Sequence, residues 1–261
     1  MLGVFCVSSF AVSEPCSYIT DSKTPVTQGK LKYSKKLGPG FMNTPTTPVV
    51  VGNTLITAAG KKLYKLDAQT GKELKSADLE GSVGFAVCPV LYAKGKVFVQ
   101  LDGGKIQAFD YKTMKSLWLY TDSLGGQGLS PLTYDNGYVY TGFWIGETDS
   151  ANFVCLSAKD ENPKKETEKK KPHWTYKHKG GFYWAGAYVC DDFLLIGTDD
   201  GQSGYASESG VHKTAELLML DRRTGRVMDR REGICADQRS SICYDAETDA
   251  YYFTTKGGYF Y

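Results

Sequence analysis

The side chains best suited to contact a ligand are five aromatic residues in two short groups. Phe143 and Trp144 form the first group, and Phe182, Tyr183 and Trp184 form the second. Aromatic rings that line a shallow funnel can stack against sugar rings or peptide side chains. We therefore predict a ligand-binding site at these five residues. The alternative is that Trp144 and Trp184 pack between neighbouring structural units.

Other side chains do not form the patterns of catalytic or metal sites. The sequence has no GxSxG, no HExxH and no phosphate-binding glycine loop. His173 and His178 are five residues apart, so on a strand they point to opposite sides and cannot share a metal ion. Asp199 and Asp200 supply too few oxygens for calcium, which takes six to eight. We interpret them as a turn closed by Gly201, and we predict no catalytic residue and no metal ligand.

Composition sets limits on the class of protein. With 31 basic and 29 acidic residues the net charge is +2, so the sequence does not indicate a nucleic-acid partner. Hydrophobic residues make up 41% of the chain, which is enough for a substantial core. The 29 glycines and 18 tyrosines indicate many tight turns between aromatic strands, and hence an all-β fold.

The amino-terminal segment has one apolar run, Leu2 to Val12. A helix needs about 20 apolar residues to span a bilayer, so we predict no integral membrane segment here. The run has the length of a signal-peptide core but lacks a preceding Lys or Arg. We interpret residues 1–30 as a leader, either disordered or a degenerate signal, and residues 31–261 as the folded region.

Seven cysteines occur, without a CxxC pair and without two in adjacent positions. This spacing excludes a zinc knuckle and a regular disulfide scaffold. Cys88, Cys155, Cys190 and Cys243 lie in or beside apolar strand-like runs, so we expect them to be small buried hydrophobic residues.

An internal repeat organises the folded region. Pro48, Pro89 and Pro131 begin successive units that are 41 and 42 residues apart, and further units begin near Ala187 and Ile242. Four strands per unit of about 40 to 45 residues are typical of a propeller blade. We label the strands a to d in chain order. The sequence predicts an incomplete β-propeller of four-stranded antiparallel blades, with four full repeats and partial ones at each end.

Turn residues support this assignment of strands. The segments Asp67 to Gly71 and Asp221 to Gly225 share the pattern Asp-x-x-Thr-Gly between strands c and d. The Asp side chain accepts hydrogen bonds from backbone amides ahead of it, and the Gly takes the left-handed conformation.

Leu31 to Gly38 has the pattern of a d strand without strands a to c before it. The polar insertions Lys159 to Lys171 and Gln202 to Thr214 interrupt the period, and we interpret the first as a solvated loop.

The ends of the repeat array have a predicted consequence for association. The fifth unit stops within its third strand, which indicates a fragment of a longer propeller or an open arc. An open arc leaves a strand edge unpaired, and this edge would pair with further blades or with a second copy of the chain.

The repeats carry a family resemblance. The segments Leu63 to Gly71, Ile106 to Asp110 and Leu217 to Gly225 make the chain similar to the PQQ-like β-propeller repeats of the quinoprotein superfamily. Within it, the chain most resembles the non-catalytic propeller modules of bacterial cell-surface proteins. The resemblance implies that Trp118 and Trp174 dock one blade on the next. It also implies a location outside the cytoplasm, at the cell surface or secreted.

The same resemblance limits the function. The quinoprotein dehydrogenases hold their quinone between a disulfide of two adjacent cysteines and a Trp, beside calcium, and this chain has no adjacent cysteines. We therefore expect no cofactor and a non-enzymatic binding or scaffold module for a protein or glycan ligand. The alternatives are a fragment of a PQQ-dependent dehydrogenase and a carbohydrate-recognition propeller of a surface protein.

Topology predicts where the aromatic residues meet. In an up-and-down meander, the d-to-a connections and the b-to-c turns emerge on the same face of the sheets. Phe143 and Trp144 end a b strand, and Phe182 to Trp184 lead into an a strand. We therefore expect the five aromatic residues and the Gln202 to Thr214 insertion to be neighbours on one rim.

Overall fold

The structure, a computed structural model, describes residues 31–41, 44–85 and 88–261. The predicted leader at residues 1–30 lies outside this part of the chain. The described residues form 21 strands and no helix. They therefore contain no helix that is long and apolar enough to cross a membrane.

Four sheets follow one another along the chain, and we call them blades 1 to 4. Blade 1 contains β1 (Val49–Val51), β2 (Thr54–Ala59), β3 (Lys62–Asp67) and β4 (Glu73–Asp78). Blade 2 contains β5 (Leu91–Ala93), β6 (Lys96–Leu101), β7 (Lys105–Asp110) and β8 (Ser116–Thr121), with β12 (Glu168–Lys170) added at its edge. Blade 3 contains β9 (Thr133–Asp135), β10 (Tyr138–Gly142), β11 (Ser150–Ser157) and β13 (Trp174–Lys179). Blade 4 contains β14 (Tyr188–Val189), β15 (Phe193–Gly197), β18 (Ala215–Asp221) and β19 (Val227–Ile234).

Two smaller sheets complete the fold. The hairpin of β16 (Ala206–Ser207) and β17 (Gly210–Val211) lies in the second insertion. β20 (Cys243–Asp245) and β21 (Ala250–Tyr252) form the two described strands of blade 5. Within the four full blades the a, b, c and d strands pair antiparallel, each with the next, so the prediction of an incomplete all-β propeller is confirmed.

The core lies between the blades. Strands such as β6 and β10 are covered on both faces, so nearly all of their residues are apolar or buried. The outer strand β4 is mostly exposed. Each junction between blades has its own hydrophobic cluster. Phe98 and Trp118 of blade 2, for example, pack against Val139 and Leu156 of blade 3. Burial between blades thus holds the units side by side.

The Asp-x-x-Thr-Gly turns have the predicted hydrogen bonds. Asp67 Oδ1 accepts from the backbone amides of Gln69 and Thr70, at 3.1 and 2.8 Å, and from the Thr70 hydroxyl at 2.8 Å. Gly71 has a φ of +69°, in the left-handed region that favours glycine. The turn at Asp221 repeats these bonds. These turns fix the register between strands c and d.

The turns also dock neighbouring blades. The indole of Trp174 in blade 3 covers Gly225 of blade 4 so closely that an added Cβ would lie 2.5 Å from the ring. Its Nε1 donates a hydrogen bond to the Arg222 carbonyl at 3.0 Å. Trp118 is fully buried between blades 2 and 3. The docking role implied for both tryptophans is therefore observed.

The Leu31 to Gly38 segment corrects one prediction. Residues 31–37 form no strand. Tyr33 nevertheless covers Gly71 as Trp174 covers Gly225, and its hydroxyl donates to the Ala68 carbonyl at 3.1 Å. The segment therefore makes the docking contact of a d strand without the strand hydrogen bonds, because the described residues provide no strand beside it.

The first insertion corrects another prediction. Instead of a fully solvated loop, its end forms β12, which pairs parallel with β8. The Lys170 side chain is buried, where its Nζ lies 3.0 Å from Glu161 and donates to the Lys159 carbonyl at 2.6 Å. These partners, and the Trp118 ring 5.3 Å away, offset the cost of burying the charge. The composition of the insertion concealed this because each favourable partner depends on the tertiary fold.

Candidate functional site

The d-to-a connections and the b-to-c turns lie on one face, which we call the loop face. Phe182 N donates to the Phe143 carbonyl at 3.0 Å, and Asp199 N donates to the Gly181 carbonyl at 3.0 Å. In the second insertion, Gly204 N donates to Glu147 Oε2 at 2.8 Å. The two aromatic groups and the insertion are therefore neighbours, as the topology predicted.

Two of the five predicted site residues belong to the core. Phe143 and Phe182 are fully buried. Phe143 stacks on Tyr120 with ring centres 6.4 Å apart, and Phe182 meets the edge of Phe153 at 5.3 Å. Neither phenylalanine ring has surface to offer a ligand, so these two residues position the loop face instead.

The other three residues form a continuous stack, which we call the aromatic stack. The ring centres of Trp144 and Tyr183 are 4.7 Å apart, and those of Tyr183 and Trp184 are 4.2 Å apart with planes inclined by 27°. Trp184 is 45% exposed, so it is not packed between blades. Its φ of +64° is uncommon for a non-glycine residue, and tertiary contacts must hold such a conformation.

Arg239 completes the aromatic stack, and no sequence pattern predicted its position there. The centre of its guanidinium group lies 4.4 Å from the Tyr183 ring and 5.8 Å from the Trp184 ring, within the range of cation–π attraction. Its Nη2 lies 2.8 Å from both Asp199 Oδ2 and Asp237 Oδ2. Arg239 therefore joins the aromatic rings to a group of carboxylates.

Three nearly buried carboxylates form that group. Asp199 and Asp200 follow β15, and Asp237 lies in the connection from blade 4 to blade 5. Asp237 also meets Lys256 at 3.2 Å, and Asp200 meets His212 at 3.4 Å. Gly201 does close a turn, at φ +69°, but the two aspartates before it are buried members of a charged network. The interpretation of Asp199 and Asp200 as only a turn was therefore incomplete.

Burial is the largest influence on the pKa of Asp199. Burial and the nearby carboxylates of Asp237 and Asp200 together raise this pKa to about 7, against the opposing effect of Arg239. Burial also raises the pKa of Asp200. The loop face thus combines an exposed indole with one buried carboxylate, Asp199, whose pKa lies near neutral pH.

Cysteines in the described part of the chain are all free thiols. Cys155 is buried as predicted, but Cys243 is exposed and Cys88 and Cys190 are half-buried. Burial raises the pKa of Cys88 and of Cys155 to about 12, which makes both thiols poor nucleophiles. The remaining two cysteines, at positions 6 and 16, lie outside the described residues.

Metal ligation has no support in the described ranges. Among residues 31–41, 44–85 and 88–261, no group of three or more His, Cys, Asp or Glu side chains is arranged to hold a metal ion. Arg239 and Lys256 instead provide positive charges beside these carboxylates, and the His212 side chain lies beside Asp200.

Comparison with solved structures shows the fold shared with two kinds of protein. Quinohemoprotein alcohol dehydrogenases from Pseudomonas putida and Comamonas testosteroni each align with 83% of this chain at 18% identity and a TM-score of 0.61. BamB from Moraxella catarrhalis aligns with 87% of this chain at 12% identity and a TM-score of 0.56. The chain spans 39%, 40% and 60% of the lengths of these three proteins, respectively.

Sequence comparison gives the family. No curated protein sequence matches the chain. A family model described as outer membrane protein assembly factor BamB matches residues 21–160, which is more than half of the chain. Together with the repeats, the docking contacts and the fold, this match shows that the chain belongs to that PQQ-like propeller family.

Proposed function

We propose that this propeller region acts outside the cytoplasm as a non-enzymatic binding or scaffold module, and that the aromatic stack with Arg239 is its contact surface. The observation that carries the proposal is the half-exposed indole of Trp184, held in a left-handed conformation beside a buried charge network. Strain at an exposed aromatic residue is typical of a binding surface. Trp, Tyr and Arg are also the residues most enriched at energetic centres of protein interfaces.

A protein partner fits this surface better than a glycan. Sugar binding requires hydrogen-bonding groups around the aromatic platform. Here Arg239 is already paired with Asp199 and Asp237, and these carboxylates are almost fully buried. The exposed indole therefore offers mainly apolar contact area, which suits an apolar or cationic side chain of a protein.

The description of the matching family supports a scaffold role. That family is named for an outer membrane protein assembly factor, and a BamB structure is among the similar folds. The dehydrogenases with the same fold support the alternative of a quinone-dependent enzyme. The absence of adjacent cysteines from the sequence weighs against that alternative.

Site-specific photocrosslinking in the host cell tests the proposed contact surface. A photoreactive phenylalanine analogue at position 184 should capture a partner, whereas the same analogue at position 85 should not. Phe85 is a matched control because it lies in the d-to-a connection after blade 1 and is 48% exposed. No captured protein at position 184, or equal capture at both positions, would contradict the proposal.

Two further measurements separate the alternatives. Binding to a glycan array that is lost in Trp184→Ala would indicate a carbohydrate-recognition propeller. Dye reduction after addition of the quinone, calcium and an alcohol would indicate the dehydrogenase alternative, and we expect none.

A further inference from the structure

A concave surface lies on the face opposite the loop face, where the a-to-b and c-to-d turns of blades 3 and 4 meet. We call it the inter-blade cleft, and it has a volume of about 290 Å³. This is close to the lower end of small-molecule sites, which begin at about 300 Å³. Six residues line it: Asn136, Tyr138, Tyr140, His173, Arg222 and Arg223.

The lining of the inter-blade cleft favours an anion. It contains two guanidinium groups and no carboxylate. Arg222 uses its Nη1 for an ion pair with Asp135 and for a hydrogen bond to the Cys190 carbonyl. The Arg223 side chain is 80% exposed and only meets Asp192 at 4.0 Å. An arginine has five N–H donors in a rigid fork, so both groups retain donors for a ligand.

Apart from the exposed Arg223 side chain, parts of the cleft wall are held in place before any ligand binds. The backbone of Arg222 is fixed by Trp174, whose Nε1 donates to the Arg222 carbonyl at 3.0 Å. On the other side, the rings of Tyr138 and His173 lie 5.1 Å apart. A preformed site loses less conformational entropy on binding.

The propeller fold does not by itself require this cleft. At the junction of blades 1 and 2, the residue that corresponds to Arg222 is Tyr111, because each follows the Asp of its c-to-d turn. The Tyr111 ring packs against Tyr92 at 5.0 Å, lies 3.7 Å from Lys65 Nζ, and its hydroxyl is 2.8 Å from Thr54 Oγ1. At the junction of blades 3 and 4 the tyrosine that fills this position is replaced by Arg222, beside open space.

We propose that the inter-blade cleft binds a small ligand through a carboxylate or phosphate group held by Arg222 and Arg223, with a ring of the ligand against Tyr138 and His173. Planar, bidentate contacts of this kind suit both oxyanions. The site lies on the face opposite the aromatic stack and does not depend on the proposed function.

Calorimetric titration with three matched sugars tests the proposal. Glucuronate and glucose 6-phosphate should bind more tightly than glucose by about tenfold or more, which is the size expected for a charged hydrogen bond. The comparison of the two anions shows whether the site prefers carboxylate or phosphate. Absence of heat from both anions at millimolar concentration, or equal binding of glucose, would overturn the proposal.

Variants locate the binding within the cleft. Arg223→Gln should weaken anion binding about tenfold, and its exposure means that the fold should tolerate the change. Arg226→Gln is the matched control, since this exposed arginine lies on the same turn but does not line the cleft. Arg222→Lys keeps the charge but removes the fork, and should also weaken binding. Equal affinities in Arg223→Gln and Arg226→Gln would show that the anion binds elsewhere.

Discussion

Substitution of Gly225 by alanine should destabilise the propeller far more than the same change at Gly52. Both glycines are left-handed, with φ of +70° and +58°. An alanine in this conformation costs roughly 1–2 kcal/mol at either position. At Gly52 nothing lies within 4 Å of the added Cβ, so we expect no loss of stability beyond this conformational cost.

At Gly225 the new methyl group would lie 2.5 Å from the Trp174 indole, which must therefore move. The displaced indole loses its hydrogen bond to the Arg222 carbonyl, about 1 kcal/mol, and the junction repacks at about 1–3 kcal/mol. We expect a total decrease in the free energy of unfolding of roughly 3–6 kcal/mol for Gly225→Ala. Urea unfolding followed by circular dichroism measures both variants.

A double-mutant cycle identifies the cause of the difference. In a Trp174→Ala background, Gly225→Ala should cost only what Gly52→Ala costs, because the ring that the methyl group displaces is gone. Equal effects of the two glycine substitutions in the otherwise unchanged protein would refute the docking argument. An unchanged cost of Gly225→Ala in the Trp174→Ala background would refute it as well.

Three other predictions concern the loop face and the first insertion. Trp184→Ala should change the free energy of unfolding by less than about 1 kcal/mol, since the side chain is half-exposed and surface changes are small, while Trp144→Ala should cost more. A large loss of melting temperature in Trp184→Ala would contradict the proposed contact surface. Burial raises the pKa of Asp199 from 3.8 to about 7, so between those pH values the folded state holds a proton that the unfolded state has lost. Asp199 should therefore lower the stability of the protein as the pH rises from about 4 to 7. The melting temperature of Asp199→Asn should lack this part of the pH dependence, and identical pH profiles of the two proteins would show that Asp199 does not titrate in this range. Lys170→Ala should lower the free energy of unfolding by about 1–3 kcal/mol because it removes a buried side chain and its hydrogen bond to the Lys159 carbonyl, whereas the same change at the exposed neighbour Lys169 should have little effect. Equal urea midpoints of the two variants would show that the buried Lys170 side chain does not stabilise the fold.

Much of the fold could be predicted because it is encoded in short segments. The Asp side chain in each Asp-x-x-Thr-Gly turn accepts hydrogen bonds from residues two and three positions ahead, so the pattern of these turns is visible in the sequence. The repeat then follows, because each blade needs the same turns to close the same hairpins. The docking role of Trp174 was implied by the family resemblance, whereas its contact with Gly225 is known only from the structure.

The candidate site could be predicted only in part. Topology correctly brought Trp144, Tyr183 and Trp184 together on one face. It did not separate them from Phe143 and Phe182, because exposure depends on how neighbouring blades cover each ring. A sequence pattern predicts to which side of a strand a side chain points. It does not predict how far that side chain is buried in the folded protein.

Sequence alone therefore determined the class of fold, the strand order and the face on which the aromatic residues gather, because hairpins and their turns are specified by residues close together in the chain. Only the tertiary structure decided that Arg239 lies over Tyr183, that Asp199 and Asp237 hold it there, and that a cleft lies between turns of blades 3 and 4. The contacts of Arg239 with Asp199 and Tyr183 join residues 40 and 56 positions apart, on connections without a repeated pattern. Their geometry is set by the packing of whole blades, which no local segment encodes.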